Sequence, residues 1–150
     1  MFDINLWISA VTKPKETFAA EKSKASFVPA IVNYVIAGLI SGIFAFLLTA
    51  VMGGGVGGVV GIITSPIGAV IGSLIGAAII WVLAKLLGGK GSLTSLYYLG
   101  SLYAVPLALV GWIPIVGIIP ALYSLYLLYL VLMISQDLTS GKAIAVIAIL

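Results

Sequence analysis

Polar side chains are so sparse along these 150 residues that the uncharged apolar runs set the architecture. Phe27 to Met52, FVPAIVNYVIAGLISGIFAFLLTAVM, is long enough for a helix to cross a hydrocarbon core of about 30 Å, which takes roughly 20 apolar residues. The GGGVGGVVGIITS that follows is too glycine-rich for a stable helix throughout, and Ser65 beside Pro66 has the form of an N-cap followed by proline at the first helical position. A second helix is therefore predicted from Pro66 to Leu87. Leu93 to Trp112, with Pro106 inside it, forms a third span, and Pro114 to Ser135, with Pro120 near its start, a fourth. A proline within a span frees a carbonyl and kinks the helix, which a membrane bundle tolerates when neighbouring groups satisfy it.

The two ends of the chain are patterned differently. Ile4, Trp7, Ile8 and Val11 follow the i, i+3, i+4, i+7 spacing of one helical face, and Pro14 ends or restarts that helix. An amphipathic helix in the membrane interface and a helix packed on the bundle's own loops both fit. The apolar stretch precedes the lysines, the reverse of a secretory signal, so the segment is expected to be retained. At the other end, Gly141 to Leu150 gives only about 15 Å of helix at 1.5 Å per residue, half of the hydrocarbon thickness. Residues 140–150 are predicted to form a short or truncated fifth helix packed on the cytoplasmic half of the bundle, the chain lacking the end of that helix.

Composition supports the class that the runs imply: 63% of residues are apolar, only 7% are charged, and the mean hydropathy is +1.33. Soluble domains carry roughly a quarter charged residues. The expected fold class is all-α, a multi-pass transmembrane helical bundle forming one domain over 1–150. No cysteine is present, which excludes disulfides and thiolate chemistry, and there is no histidine. The net charge of +3 comes from seven lysines and no arginine, lacking the dense Arg-rich footprint of nucleic-acid binding, and no such partner is expected.

Where the lysines fall sets the orientation. With a cytoplasmic amino terminus, Lys13, Lys15, Lys22, Lys24, Lys85, Lys90 and Lys142 all lie on one side, and the opposite loops GGGVGG and GWIP carry no charge. The positive-inside rule is obeyed without exception.

Gly88, Gly89, Lys90 and Gly91 raise the question of a phosphate-binding loop. That motif needs a glycine five residues before its Gly-Lys pair and Ser or Thr after it. Ala84 and Gly91 occupy those places, so the motif fails twice and a tight turn anchored by Lys90 is the expectation. Nor do the four runs hold any Asp, Glu, His, Cys or Arg. Ser41, Ser73, Ser101 and Ser124 therefore have no base to activate them, and no metal ligands or cofactor site are expected. Asn33 is the one strongly polar side chain of the first run and is assigned an interhelical hydrogen bond. Gly68, Gly72 and Gly76 recur every fourth residue, as do Gly38 and Gly42; such stripes let helices approach closely. The first two spans are expected to pack through these five glycines, so that leucine at Gly72 would force them apart. Tyr123, Tyr126 and Tyr129, with Tyr97, Tyr98 and Tyr103, are expected to pair hydroxyls across helices or to sit in the interfacial belt.

Three stretches, LLGGKGSLTSLYYLGSLYAVPLAL, WIPIVGIIPALYSLYLLYL and SGKAIAVIAIL, together with the leading KPKETF, carry a resemblance. The chain resembles the Yip (Ypt-interacting protein) family of small polytopic membrane proteins in its prokaryotic form. The most specific residues are Gly88, Gly89, Lys90, Gly91, Tyr103, Pro106, Lys142 and Ala143. The resemblance implies five membrane helices and a cytosolic amino terminus, in a prokaryotic cytoplasmic membrane. Eukaryotic members bind Rab-type GTPases and each other; their aspartate-leucine-tyrosine-glycine-proline motif is absent here, and the lead-in is only about 26 residues, so a Rab partner is not carried over.

The expected function is that of a non-enzymatic membrane-organising or protein-interaction module. Lys13, Lys15, Lys22 and Lys24 would attract anionic head groups of the bilayer, less what Glu16 and Glu21 offset. Membrane-protein partners or a homo-oligomer are the other expected contacts. The alternative is a small channel or transporter subunit with a path between the glycine-rich helices.

Overall fold

The computed structural model describes residues 3–150, which are all helix, turn or loop. Two short helices come first. Asp3 caps α1 (Ile4–Thr12) by accepting the Leu6 N–H at 3.2 Å, and Pro14 opens α2 (Pro14–Glu21), where its missing N–H is harmless. A 3-10 turn over Lys22–Lys24 leads into α3 (Phe27–Val51), followed by α4 (Gly57–Leu86), α5 (Leu93–Val110), α6 (Ile118–Gln136) and α7 (Ser140–Ile149).

Among the described residues, α3 to α6 are the four helices long and apolar enough to cross a membrane. Short connections make them run alternately up and down, and every lysine falls at one end of the bundle or in the segment 13–24 that leads into it. α5 is the hub: half of its apolar window is buried, against 11% for α4. Leu96, Tyr97, Leu99 and Leu102 of α5 form the core with Leu127, Val131 and Leu132 of α6, and Ala143 and Val146 of α7 close it at the lysine end. α3 and α4 leave large apolar side chains exposed, including Ile43, Leu47, Ile67, Ile71 and Ile75, as a lipid-facing surface requires.

The structure corrects the predicted start of the second span. α4 begins at Gly57, nine residues before Pro66, and Ser65 is no N-cap but lies in mid-helix. Glycine's low helix propensity is outweighed by packing. A Cβ at Gly42 would meet the Gly61 carbonyl at 2.9 Å and Ile62 Cα at 3.0 Å, and one at Gly58 would meet Phe46 and Thr49, so α3 holds this glycine-rich turn in helical form. Pro66 itself is buried against Gly38.

The glycine seam is corrected as well. Gly38 and Gly42 line it, facing Gly61, Ile62, Ser65, Pro66 and Ala69, while nothing lies within 4 Å of a Cβ placed on Gly68, Gly72 or Gly76. The stripe GAVIGSLIG is therefore turned off the α3 seam, and leucine at Gly72 would meet open space. The fourth span starts at Ile118, later than Pro114, because Gly111 to Gly117 form successive turns with Ile115 at φ +70°. At that end Trp112 stacks on Phe44 with ring centroids 4.4 Å apart.

Candidate functional site

The polar chemistry gathers where α1 and α2 meet the bundle. α1 packs on α5, burying Trp7 and Ala10 while Ile4 and Ile8 stay exposed, so the helix face read from the sequence is divided between the bundle and the outside. The Trp7 indole N–H donates to Asn33 Oδ1 at 3.1 Å, Asn33 Nδ2 donates to Ser101 Oγ at 3.1 Å, and Ser101 Oγ donates to the Tyr98 carbonyl at 2.7 Å. This chain gives Asn33 the interhelical bond expected of it.

Glu21, at the end of α2, is 8% exposed. Its carboxylate accepts from the Tyr98 hydroxyl at 2.7 Å and from Lys24 Nζ at 3.3 Å; a buried carboxylate without such donors would be costly. Lys22 pairs with Asp137 at 2.9 Å, and the Tyr123 hydroxyl donates to the Val11 carbonyl at 2.6 Å. α1 and α2 are thereby tied to α3, α5, α6 and the residue after α6. Between them lies an open cavity of about 400 Å³ whose lining includes Asp3, Trp7, Glu21, Lys24, Asn33 and Tyr98.

At the same lysine-bearing end of the bundle lies the glycine-lysine turn. Gly88 takes φ +90° and its N–H donates to the Lys85 carbonyl, while the Gly89 N–H donates to the Ala84 carbonyl at 2.7 Å. That pair of bonds is a Schellman cap on α4, which satisfies carbonyls the helix end leaves open. The Lys90 N–H donates to the Gln136 carbonyl at 2.8 Å, Trp81 Nε1 donates to the Gly91 carbonyl at 3.1 Å, and Gln136 Nε2 donates to the Ser92 carbonyl at 2.9 Å. A Cβ on Gly91 would overlap the Ser135 carbonyl, so only glycine fits there. Lys142 reaches across, its Nζ 3.2 Å from where a Gly88 Cβ would stand. The turn is a clasp between α4, α6 and α7.

A family model described as Yip1 domain matches residues 8–150. The chain belongs to the Yip1 domain family. It is an integral, multi-pass membrane protein, as the four apolar helices and the family together indicate. No curated protein and no solved structure matches it.

Of the family-motif residues, Gly88, Gly89, Lys90, Gly91 and Lys142 meet in one clasp, and Ala143 is fully buried on the first turns of α7. Tyr103 and Pro106 lie apart from it, deeper in α5, where Tyr103 packs against Phe18 of α2 with centroids 6.2 Å apart. Lys13 and Lys15 are exposed, whereas Lys22 and Lys24 are engaged with Asp137 and Glu21. The tyrosine hydroxyls do pair across segments: Tyr97 with Ser73, Tyr98 with Glu21, Tyr129 with Ser140. Sequence reasoning missed Glu21, treated only as a charge offset, and the Trp7–Asn33–Ser101 chain. The available signal was a carboxylate and an indole placed just ahead of a run with a single amide.

Proposed function

We propose that this Yip1-domain protein is a non-enzymatic membrane-organising or protein-interaction module whose working surface is its lysine-bearing end, facing the cytoplasm of a prokaryotic cell. The observation carrying this reading is the attachment of α1, α2 and the 3-10 turn after them to the bundle through side-chain bonds that span 26 to 115 residues of sequence. Such bonds hold the amino-terminal segment as a fixed surface next to the membrane. Lys13 and Lys15 stand exposed on it, and each basic residue near an anionic bilayer surface contributes about 1 kcal/mol of attraction. Lys22 and Lys24 contribute less, since each faces a carboxylate.

Crosslinking in native membranes, followed by identification of the captured proteins, tests the reading. Reproducible partners captured through positions on α1 and α2 are expected, and their loss on Lys13→Gln with Lys15→Gln. Liposomes holding the purified protein should pass neither ions nor small solutes. Specific flux without partners would replace this reading with a channel or transporter subunit, and an amino-terminal reporter reading outside would invert the surface.

A further inference from the structure

The cavity between α1, α2, α3 and α5 has a chemistry that helix packing does not require. Its volume of about 400 Å³ falls among those of small-molecule sites, roughly 300 to 1,000 Å³. Asp3, Glu21 and Lys24 line it, Lys24 beside Glu21, and together they leave an excess of one negative charge. Glu21 is buried, its side chain 11% exposed, yet of the roughly four acceptor positions on a carboxylate only those used by Tyr98 and Lys24 are taken. Asp3 uses Oδ1 to cap α1, which leaves its second oxygen for a ligand. Trp7 and Tyr98 line the same space, and aromatic rings add attraction for a cation.

We propose that this cavity binds an alkylammonium group, supplied by the head group of a zwitterionic phospholipid. Position argues for the lipid source. Pro29 and Asn33 lie in the first two turns of α3, and Tyr98 and Leu102 within the first three turns of α5, so the cavity sits at the level of the lysine-bearing helix ends. Leu6, Pro29 and Leu102 add apolar lining. Lys24 is 69% exposed at the side chain, and its ion pair with Glu21 is of the weak, exposed-partner kind. It can turn to the lipid phosphate as the ammonium takes its place on Glu21. A buried carboxylate at Glu21, an exposed one at Asp3 on the rim and a lysine beside them form the complement of a zwitterion.

The test uses the full chain in non-ionic micelles, with native mass spectrometry counting retained short-chain phosphatidylethanolamine, phosphatidylcholine and phosphatidylglycerol, and ethanolamine as a free-amine arm. Glu21→Gln keeps an acceptor for Tyr98, and Asp3→Asn keeps the cap on α1. Each should weaken retention of the two ammonium lipids at least tenfold and leave phosphatidylglycerol unchanged, while Glu16→Gln, exposed on α2, changes neither. Should Glu21→Gln fail to fold, Asp3→Asn carries the same reading. Saturable ethanolamine binding that both variants abolish, without any effect on lipid retention, supports the ammonium site and assigns it to a soluble amine. Unchanged retention of every ligand in Asp3→Asn and Glu21→Gln overturns the proposal, as does an equal loss of phosphatidylglycerol.

Discussion

Alanine at Gly38 probes the α3–α4 seam at its tightest point. The added Cβ would stand 2.5 Å from Pro66 Cα, 2.8 Å from the Ser65 carbonyl oxygen and 2.9 Å from Ala69 Cβ. Ordinary carbon contacts lie at about 3.5 to 4.0 Å, so the helices must separate by about 1 Å. None of the three atoms belongs to a flexible side chain that could swing away. Overpacking of this kind costs about 1 to 3 kcal/mol, while glycine to alanine within a helix returns at most about 1 kcal/mol. A net loss of about 1 to 2 kcal/mol is expected. Gly72→Ala provides the opposite case: its Cβ meets nothing, and the propensity gain should leave the protein unchanged or up to about 1 kcal/mol more stable. Reversible unfolding in mixed micelles, followed by far-UV circular dichroism or tryptophan emission, measures both variants against the parent. Stability of Gly38→Ala equal to that of the parent would refute the seam geometry. A loss in Gly72→Ala as large as in Gly38→Ala would instead mean that the outward stripe is covered by another helix.

Three further outcomes follow from the polar end of the bundle. Asn33→Ala removes the Oδ1 acceptor of the Trp7 indole N–H and the donor to Ser101 and should cost about 1 to 3 kcal/mol, with amide exchange in α1 rising first; unchanged exchange would mean that other contacts hold α1. Gly91→Ala drives a methyl group into the Ser135 carbonyl, so the clasp must open and the midpoint of thermal unfolding fall, whereas Gly141→Ala, which meets open space, should leave it unchanged; equal midpoints would count against the close approach. Asp137→Gly loses an ion pair whose side chains are 35% and 56% exposed but relieves a left-handed residue at φ +53°, so stability should change by less than about 1 kcal/mol in either direction; a larger loss would make the Lys22 pair stronger than its exposure allows.

The spans were legible because lipid imposes a simple demand, a long uncharged run whose backbone bonds close on themselves. The Gly88 turn could be read for a related reason: a helix cap is made by residues adjacent in sequence. The start of α4 could not. Propensity treats Gly57, Gly58 and Gly61 as breakers, and only the approach of Phe46 to Gly58 and of Gly42 to the Gly61 carbonyl, from another helix, makes this turn a contact surface. Periodicity likewise revealed that Gly68, Gly72 and Gly76 share a face without revealing what covers it. Glu21 was harder still, since the hydroxyl that makes its burial tolerable belongs to Tyr98, 77 residues away.

α4 has 30 residues and α5 has 18. At 1.5 Å per residue their lengths differ by about 18 Å, more than half of a typical hydrocarbon core. A flat bilayer that matches α5 standing upright leaves an upright α4 too long. Tilt of α4, or thickening of the lipid beside it, absorbs the difference at a fraction of a kcal/mol per Å. A bundle with one tall side and one short side meets the least mismatch where thickness itself changes across a few nanometres, at the edge of a lipid domain or along a bend. The helix lengths alone thus make the mismatch with a flat bilayer different on the two sides of the bundle.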